Sequence, residues 1–470
     1  MPIPVISTAQ MREWERTTWA AGQTETEVIR RVGKRIARRA RKLTRAGDTI
    51  LFLIGKGHNG DDARAAAKQL EGRRAETLEM FLPDTDLLPL EQALQEKPAL
   101  VVDGLFGTGL NRPLSDAWQK IIAAINAAKV PVLAIDVPSG LNADTGGTFG
   151  VAVAATITVT IGAPKTGLLA PAAWPFVGRL EVAEDVGLIP CPLASELNWT
   201  QPEDFEHFPP ARNVAGNKGN FGHVAIIAGS LGYHGAAVLT TRGAQRAQPG
   251  LATVFTPENI FTPVAAQLQS AMVKIWKLEM KLPEKTSALL IGPGLAAPEI
   301  SEAMKKFTRE LWRTAAFPLI VDASALDFLD AELPAKNSIR VLTPHPGEAA
   351  RLLQTTAAQV QADRVVALRE LSKRFGDGWV VLKGHETLIG RSTGNIFVNC
   401  SGNAQLAQGG SGDLLAGFIA GLLAQPVLAA DVEKTLRYAV WQHGAAADKL
   451  SILRSNWTVE DLAAEIGNAR

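Results

Sequence analysis

Gln408-Gly409-Gly410-Ser411-Gly412-Asp413-Leu414-Leu415-Ala416-Gly417 runs a cluster of glycines straight into helix-forming residues. Such a stretch is a loop-to-helix junction. Its unpaired backbone N–H groups and the positive end of the helix dipole converge on one place, which suits a phosphoryl group. Asp413, in the first turn, is positioned to accept a proton from a substrate hydroxyl while the amides hold a migrating phosphate. The plainer alternative is a glycine turn with Asp413 capping its helix.

Working outward, short Val/Ile/Leu runs alternate with amphipathic segments and glycine junctions. Residues 49–54, 99–102 and 132–135 read as buried strands, as do 223–228, 288–291, 319–321, 340–342 and 379–382. Their apolar character is continuous rather than alternating. That pattern predicts strands covered on both faces, hence largely parallel α/β sheets. Between about Leu193 and Asn213 the texture changes to LASELNWTQPEDFEHFPPARN, with Pro202, Pro209 and Pro210 and little periodicity. This stretch predicts an inter-domain connection. With no internal repeat, 470 residues divide into two distinct α/β domains, expected at 1–205 and 212–470.

The balance of 48 basic against 47 acidic residues leaves a net charge of +1, so no global field recruits nucleic acid or an anionic membrane. Two distant cysteines, Cys191 and Cys400, rule out a disulfide framework or a cysteine-rich metal site and fit a reducing compartment. The polar first eighteen residues lack an apolar signal core, and stretches such as Val151–Ile161 are too short to span a bilayer, so a cytoplasmic protein is expected. Between Arg30 and Arg45, nine of sixteen residues are Lys or Arg, with Ile29, Val32, Ile36 and Leu43 on one helical side. A solvated helix face explains this run better than a membrane or RNA contact.

Around the glycine junction lie further segments, each directly after a predicted strand or at a helix start, where open α/β sheets place their ligands. They are Lys218–His223, Ala228-Gly229-Ser230, Tyr233–Ala237, Gly292-Pro293-Gly294-Leu295, Asp322-Ala323, Thr343-Pro344-His345-Pro346-Gly347-Glu348 and Lys383-Gly384-His385-Glu386-Thr387. In this order they resemble the ADP- or ATP-dependent NAD(P)H-hydrate dehydratase family, a branch of the ribokinase-like fold. The resemblance covers residues 212–470. It implies that Ala236, Gly294, His345 and Asp413 contact the hydrated dinucleotide, and that Lys383, Gly384, His385, Glu386, Thr387 and Gly412 hold ADP. It also implies that ADP phosphorylates the C6 hydroxyl of the hydrate, with Mg²⁺ screening the phosphates and Asp413 as the catalytic carboxylate. The segment Asn403–Gln408 and Ser324 depart from the family pattern beside these positions.

The first half carries Gly55-Lys56-Gly57-His58-Asn59-Gly60-Asp61-Asp62-Ala63 after its first strand, then Val102–Leu110, Ile135–Leu141 and Gly162–Leu168. A strand running into a glycine loop and a helix is a phosphate-binding layout in Rossmann-like sheets, though some such loops are only tight turns. Together these segments look like the NAD(P)H-hydrate epimerase domain, over about residues 1–205. The resemblance implies a K⁺ ion on Asn59, Asp103 and Ser139. It implies contact with the hydrate by His58, Asn59, Gly60, Asp61 and Asp62, by Gly107, Thr108, Gly109, Leu110, Asn111, Arg112 and Pro113, and by Asp136. Oxygen-rich side chains at three strand ends suit a hard cation. Asp136 and Asp103 are the carboxylates expected to assist proton transfer, with Asp136 catalytic. The loop departs from the family pattern at His58, Asp61 and Ala63, and Lys56 is expected to offset the added charge of Asp61.

The expectation is therefore an α/β enzyme with a Rossmann-like three-layer first domain and a ribokinase-like second domain, acting on hydrated NADH or NADPH with an adenine nucleotide. Homo-oligomerisation is left open. A ribokinase-like kinase of a small vitamin alcohol shares the glycine loop but accounts for neither the His345 motif nor the first half. A non-catalytic, ligand-binding first half is the other alternative.

Overall fold

In the computed structural model, which describes residues 2–277, 280–296, 301–331, 334 and 338–469, the chain divides into two compact units, Ile3–Ser195 and Glu196–Arg470. The first unit opens on a two-residue strand, β1 (Ile3–Pro4), and is built on six further strands: β2 (Thr49–Ile54), β3 (Arg74–Glu79), β4 (Leu100–Gly104), β5 (Val132–Ile135), β6 (Ile157–Ile161) and β7 (Arg179–Ala183). These pair in the order β3-β2-β4-β5-β6-β7, every pair parallel. The sheet is covered on both faces, as the continuous apolar runs require. On one side the helix Glu25–Leu43 lays Val32, Ile36 and Ala40 over Phe52 and Val102; on the other, Ile121, Ile122 and Ile125 of the helix Asp116–Ala127 meet Leu51, Leu53 and Val101. Each large aliphatic side chain so buried contributes about 1.5–3 kcal/mol. The basic run is the outer face of the first of these helices: Arg30 and Arg31 pair with Glu27, Arg39 with Glu181 and Arg41 with Glu71.

Strand β3 escapes a sequence reading because Arg74-Ala75-Glu76-Thr77-Leu78-Glu79 is an edge strand, half-buried at best. Charge on an exposed edge is what keeps it from pairing elsewhere.

The second unit uses β8 (Leu197–Trp199), β9 (His223–Ile227), β10 (Leu251–Thr256), β11 (Met272–Ile275), β12 (Ala288–Ile291), β13 (Leu319–Val321), β14 (Arg340–Leu342), β15 (Trp379–Leu382), β16 (Leu388–Gly390) and β17 (Ile396–Val398). Their order is β8-β17-β16-β15-β14-β13-β12-β9-β10-β11, parallel except for the antiparallel pairs of β15 with β16 and β16 with β17. The proline-bearing stretch expected to be a connection is in part folded structure. Strand β8 pairs with β17, Pro202 opens a short 3₁₀ turn, and the buried Phe205 ring lies 5.5 Å from Tyr438 and 5.2 Å from Trp441. The boundary therefore falls at Ser195–Glu196, ten residues before the expected 205.

The helix Ser411–Leu423 is apolar all round and is buried almost along its length. Glycines on both sides of its contact with the helix His234–Arg246 make room: a Cβ on Gly417 would stand 1.9 Å from the Thr240 carbonyl oxygen, and one on Gly243 of that partner helix 2.2 Å from that of Leu414. The backbone of this helix thus packs directly on the helix His234–Arg246. Among the described residues, no helix is long and apolar enough to cross a membrane.

Candidate active sites

In the second unit, β15, β14, β13, β12 and β9 are parallel neighbours, so the residues just beyond their C-terminal ends share one edge of the sheet. Asp322 follows β13, Thr343 follows β14 and Lys383 follows β15. The Lys383 Nζ lies 2.8 Å from Asp322 Oδ1 and 3.9 Å from Glu348 Oε2, and the Thr343 hydroxyl donates to Asp322 Oδ1 at 2.6 Å. Burial pulls the Lys383 ammonium down, but Asp322 and Glu348 outweigh it and leave it above its ordinary range. A Cβ on Gly412 would stand 3.3 Å from that Nζ, so the ammonium faces the glycine loop.

The loop enters its helix through Gly410, at φ +91°, where a Cβ would meet Leu239 Cδ1 at 2.4 Å. Asp413 follows in the first turn. Loss of water around its carboxyl, then repulsion from Asp322 and Glu348, overcome the pull of Lys383 and push it up to about 6. The buried His443 contacts both Ser411 Oγ (3.2 Å) and the Ser411 carbonyl (3.1 Å), and burial holds its ring down at about 4. A neutral imidazole thereby braces the loop.

The structure gathers the other expected residues along the same edge. A Cβ on Gly294 would lie 2.7 Å from that of Ala236, which puts those two side by side. His345 is a helix cap rather than a core residue: its half-exposed ring accepts from the Gly347 and Glu348 N–H groups through Nδ1, and the Glu348 carboxylate accepts from the His345 N–H at 2.8 Å. The Lys383–Thr387 loop turns through Gly384 (φ +133°) and Glu386 (φ +52°). It is held from below by the buried Arg364 guanidinium, which donates to the carbonyls of Leu382, Lys383, His385 and Glu386. Desolvation raises the Glu386 carboxyl to about 8 in spite of Arg364, and lowers Arg364 itself to about 10. Arg364 lies in an ordinary helical segment, and nothing in its own sequence neighbourhood marks it. A separate hollow of about 680 Å³, lined among others by Arg212, Phe221, Gln425 and Tyr438, contains none of these groups.

In the first unit, parallel pairing of β2, β4 and β5 brings the three signature segments to adjacent strand ends. Asp103 is wholly buried. Its carboxylate accepts from the Ser139 hydroxyl (2.6 Å), the Ser139 N–H (2.9 Å) and the Leu105 N–H (3.2 Å), and desolvation still raises its pKa. Asn59 donates to the Phe106 carbonyl at 2.9 Å, and Ser139 Oγ accepts from the Phe106 N–H at 2.9 Å, so Asn59, Asp103 and Ser139 converge on one turn. The segment from Gly107 to Pro113 is half-exposed to exposed; Gly107 sits against Asn59, and Arg12 donates to the Thr108 carbonyl.

Asp136 occupies a left-handed backbone position (φ +63°), a conformation that costs free energy for a non-glycine residue. Three groups converge on its Oδ1: the Lys165 ammonium at 2.5 Å, the Ile161 N–H at 3.0 Å and the Thr160 hydroxyl at 3.1 Å. Lys165 is fully buried and also donates to the Ile161 carbonyl. In the sequence it belongs to the Gly162–Leu168 segment, to which no role was assigned. Glu15, from the first helix, lies near enough to Asp136 and Lys165 to feel both, while burial raises its carboxyl. Sequence reasoning assigned it nothing.

The departures in the glycine loop find partners, though not the expected one. Asp61 is paired with Arg64 at 2.6 Å, while Lys56 stands over the Phe81 ring. One helical turn brings Arg64 to Asp61, whereas Lys56 lies before the helix begins. His58 reaches Glu25 at 2.6 Å. Ala63 fits because its neighbour is Gly104, where a Cβ would come within 2.5 Å of Ala63.

Residues 224–468 match the NAD(P)H-hydrate dehydratase family model, and residues 75–167 match the model described as YjeF-related protein N-terminus. A bifunctional NAD(P)H-hydrate repair enzyme of Gloeobacter violaceus is 34% identical over 95% of this chain and 93% of its own. That of Coxiella burnetii is 33% identical over 94% and 93%. The crystal structure of a ribokinase-like superfamily protein from Enterococcus faecalis superposes with a TM-score of 0.51 at 27% identity, covering 58% of this chain and 95% of its own.

Proposed function

Because this chain belongs to the bifunctional NAD(P)H-hydrate repair enzymes, we propose that its second unit uses ADP to dehydrate the S form of hydrated NADH or NADPH, and that its first unit interconverts the R and S forms. The observation that carries the first part is Asp413, whose carboxyl is raised to about 6 at the start of a glycine-led helix with the Lys383 ammonium alongside. A carboxylate so poised is ionised at neutral pH yet basic enough to take a hydroxyl proton. As that proton moves to Asp413, the C6 oxygen bonds to the terminal phosphorus of ADP and AMP leaves. Phosphate then departs from C6 and a proton from C5, which restores the ring double bond. Hydroxide is a poor leaving group and phosphate a good one, so the nucleotide is consumed as an activator. The loop amides, the helix start and Lys383 oppose the charge of the phosphoryl group in transit.

Among the described residues no three His, Cys, Asp or Glu side chains are grouped to cage a metal. Mg²⁺ would thus enter with the nucleotide, which is how it commonly binds. Glu348, Asp322 and Asp413 are the carboxylates of this edge that would lie beside the ion, which would screen the phosphates. In the first unit, Asp103 is a buried carboxyl with three donors and, among the described residues, no basic partner. With the neutral oxygens of Asn59 and Ser139, it suits K⁺, which would supply the missing positive charge.

The deciding experiment supplies purified protein with both hydrate epimers and ADP and follows recovery of dihydronicotinamide absorbance. Full consumption is expected. Consumption of one epimer, with the rest disappearing only at the spontaneous rate, would remove the epimerase assignment; no consumption would remove both.

A further inference from the structure

Asp62 stands out among the acidic groups of the first unit. It is 4% exposed, one of its carboxylate oxygens is sealed from solvent, and that oxygen has no hydrogen-bond partner among the described residues. Four of the neighbouring acids have company: Asp136 has Lys165, Asp103 has Ser139, Asp61 has Arg64, and Glu25 has His58. A buried carboxylate without compensation costs several kcal/mol, whereas the neutral acid costs far less. Asp62 belongs to the same helix start as Asn59, and Asp136 is the charged group that acts on it most strongly.

We propose that Asp62 is the catalytic acid of the first unit, handing its proton to the C6 hydroxyl of the hydrate, and that Asp136 and Asp103 do not fill this role. The assignment rests on reading that unit as an epimerase. It differs from the sequence-based expectation, which chose Asp136, whose Oδ1 carries Lys165, Ile161 and Thr160, and Asp103, which holds three donors. Desolvation, reinforced by repulsion from Asp136, Asp61, Glu15 and Glu25, pushes the Asp62 carboxyl well above its ordinary range and so favours its proton-bearing form.

The chemistry balances without an external reagent. Asp62 protonates the hydroxyl, the C6–O bond breaks with both electrons going to oxygen, and water departs while the N1 lone pair forms a cationic C6=N1 bond. Water then adds to the opposite face and returns one proton to Asp62. Asp136, its charge already matched by Lys165, is left to face the transient cation.

The test is Asp62→Asn in the full-length chain, assayed on the R epimer with ADP present. The amide has the same shape and removes an unpaired acid, so the melting temperature should stay level or rise. Meanwhile kcat for epimerisation should fall by at least about 100-fold with KM little changed, and consumption of the S epimer should be untouched. Asp62→Glu should recover part of the loss. Epimerisation within about threefold of wild type, a loss confined to KM, or a lower melting temperature would each overturn the assignment. Those results leave the epimerase reading standing; a wild-type rate no faster than spontaneous epimerisation overturns that reading and this assignment together.

Discussion

Asp413 must be ionised to act and yet must hold a proton well, and its surroundings set both conditions. Because its carboxyl is raised to about 6, the dehydration rate should fall as the pH drops through that value, and a pH–rate profile with excess nucleotide checks the sign. Asp413→Asn should slow dehydration by roughly 100- to 10,000-fold while R and S hydrates still interconvert, as resolved by chromatography of the epimers. Lys383→Met tests the opposite charge. It strands the buried Asp322, so it should cost about 3–5 kcal/mol of stability in denaturant titrations as well as nucleotide binding. Asp413 announces itself because it follows the glycines that open a helix, and Asn59, Asp103 and Ser139 because each adjoins a glycine turn at a strand end. Glu15 and Arg364 do not: their importance comes from burial and from partners that only folding supplies.

At the scale of elements, the Lys383–Thr387 loop buries an acid, Glu386, whose desolvation outweighs the pull of the Arg364 guanidinium. Unfolded, Glu386 releases its proton near 4.5; folded, it holds on to about 8. Between those values the unfolded state binds fewer protons, so this group's share of stability is complete below 4.5 and is lost as pH rises through 8, at up to ~1.4 kcal/mol per pH unit. Glu386→Gln should therefore melt at a higher temperature than wild type at pH 8 and about the same at pH 4.5. The glycine loop makes a steric counterpart, since Gly410→Ala meets both a positive φ and Leu239 and should cost about 1–3 kcal/mol. The central strands β2, β4, β5, β9 and β12 to β15 could be read from the sequence because burial on both faces writes itself as unbroken apolar runs. The edge strand β3 and the short β8 could not, since one is charged and the other sits among prolines, and their pairing is decided by neighbours far along the chain.

For the whole molecule, each unit closes its own core around its own sheet, so the two chemistries are separable in principle. They share a substrate: the R hydrate leaves the epimerase reaction as the S hydrate that the dehydratase consumes. If the link is only this small molecule, it passes through solution. Asp413→Asn protein alone should restore absorbance from either epimer only at its strongly reduced rate. Asp103→Asn, which keeps the shape of the proposed K⁺ site but removes its charge, should consume the S epimer and then stall at the spontaneous rate. Mixed, the two variants should again consume the racemate completely, at a rate that rises with the concentration of each. Continued stalling of the mixture would mean that the epimers do not exchange through solvent, and that one chain must carry both intact sites.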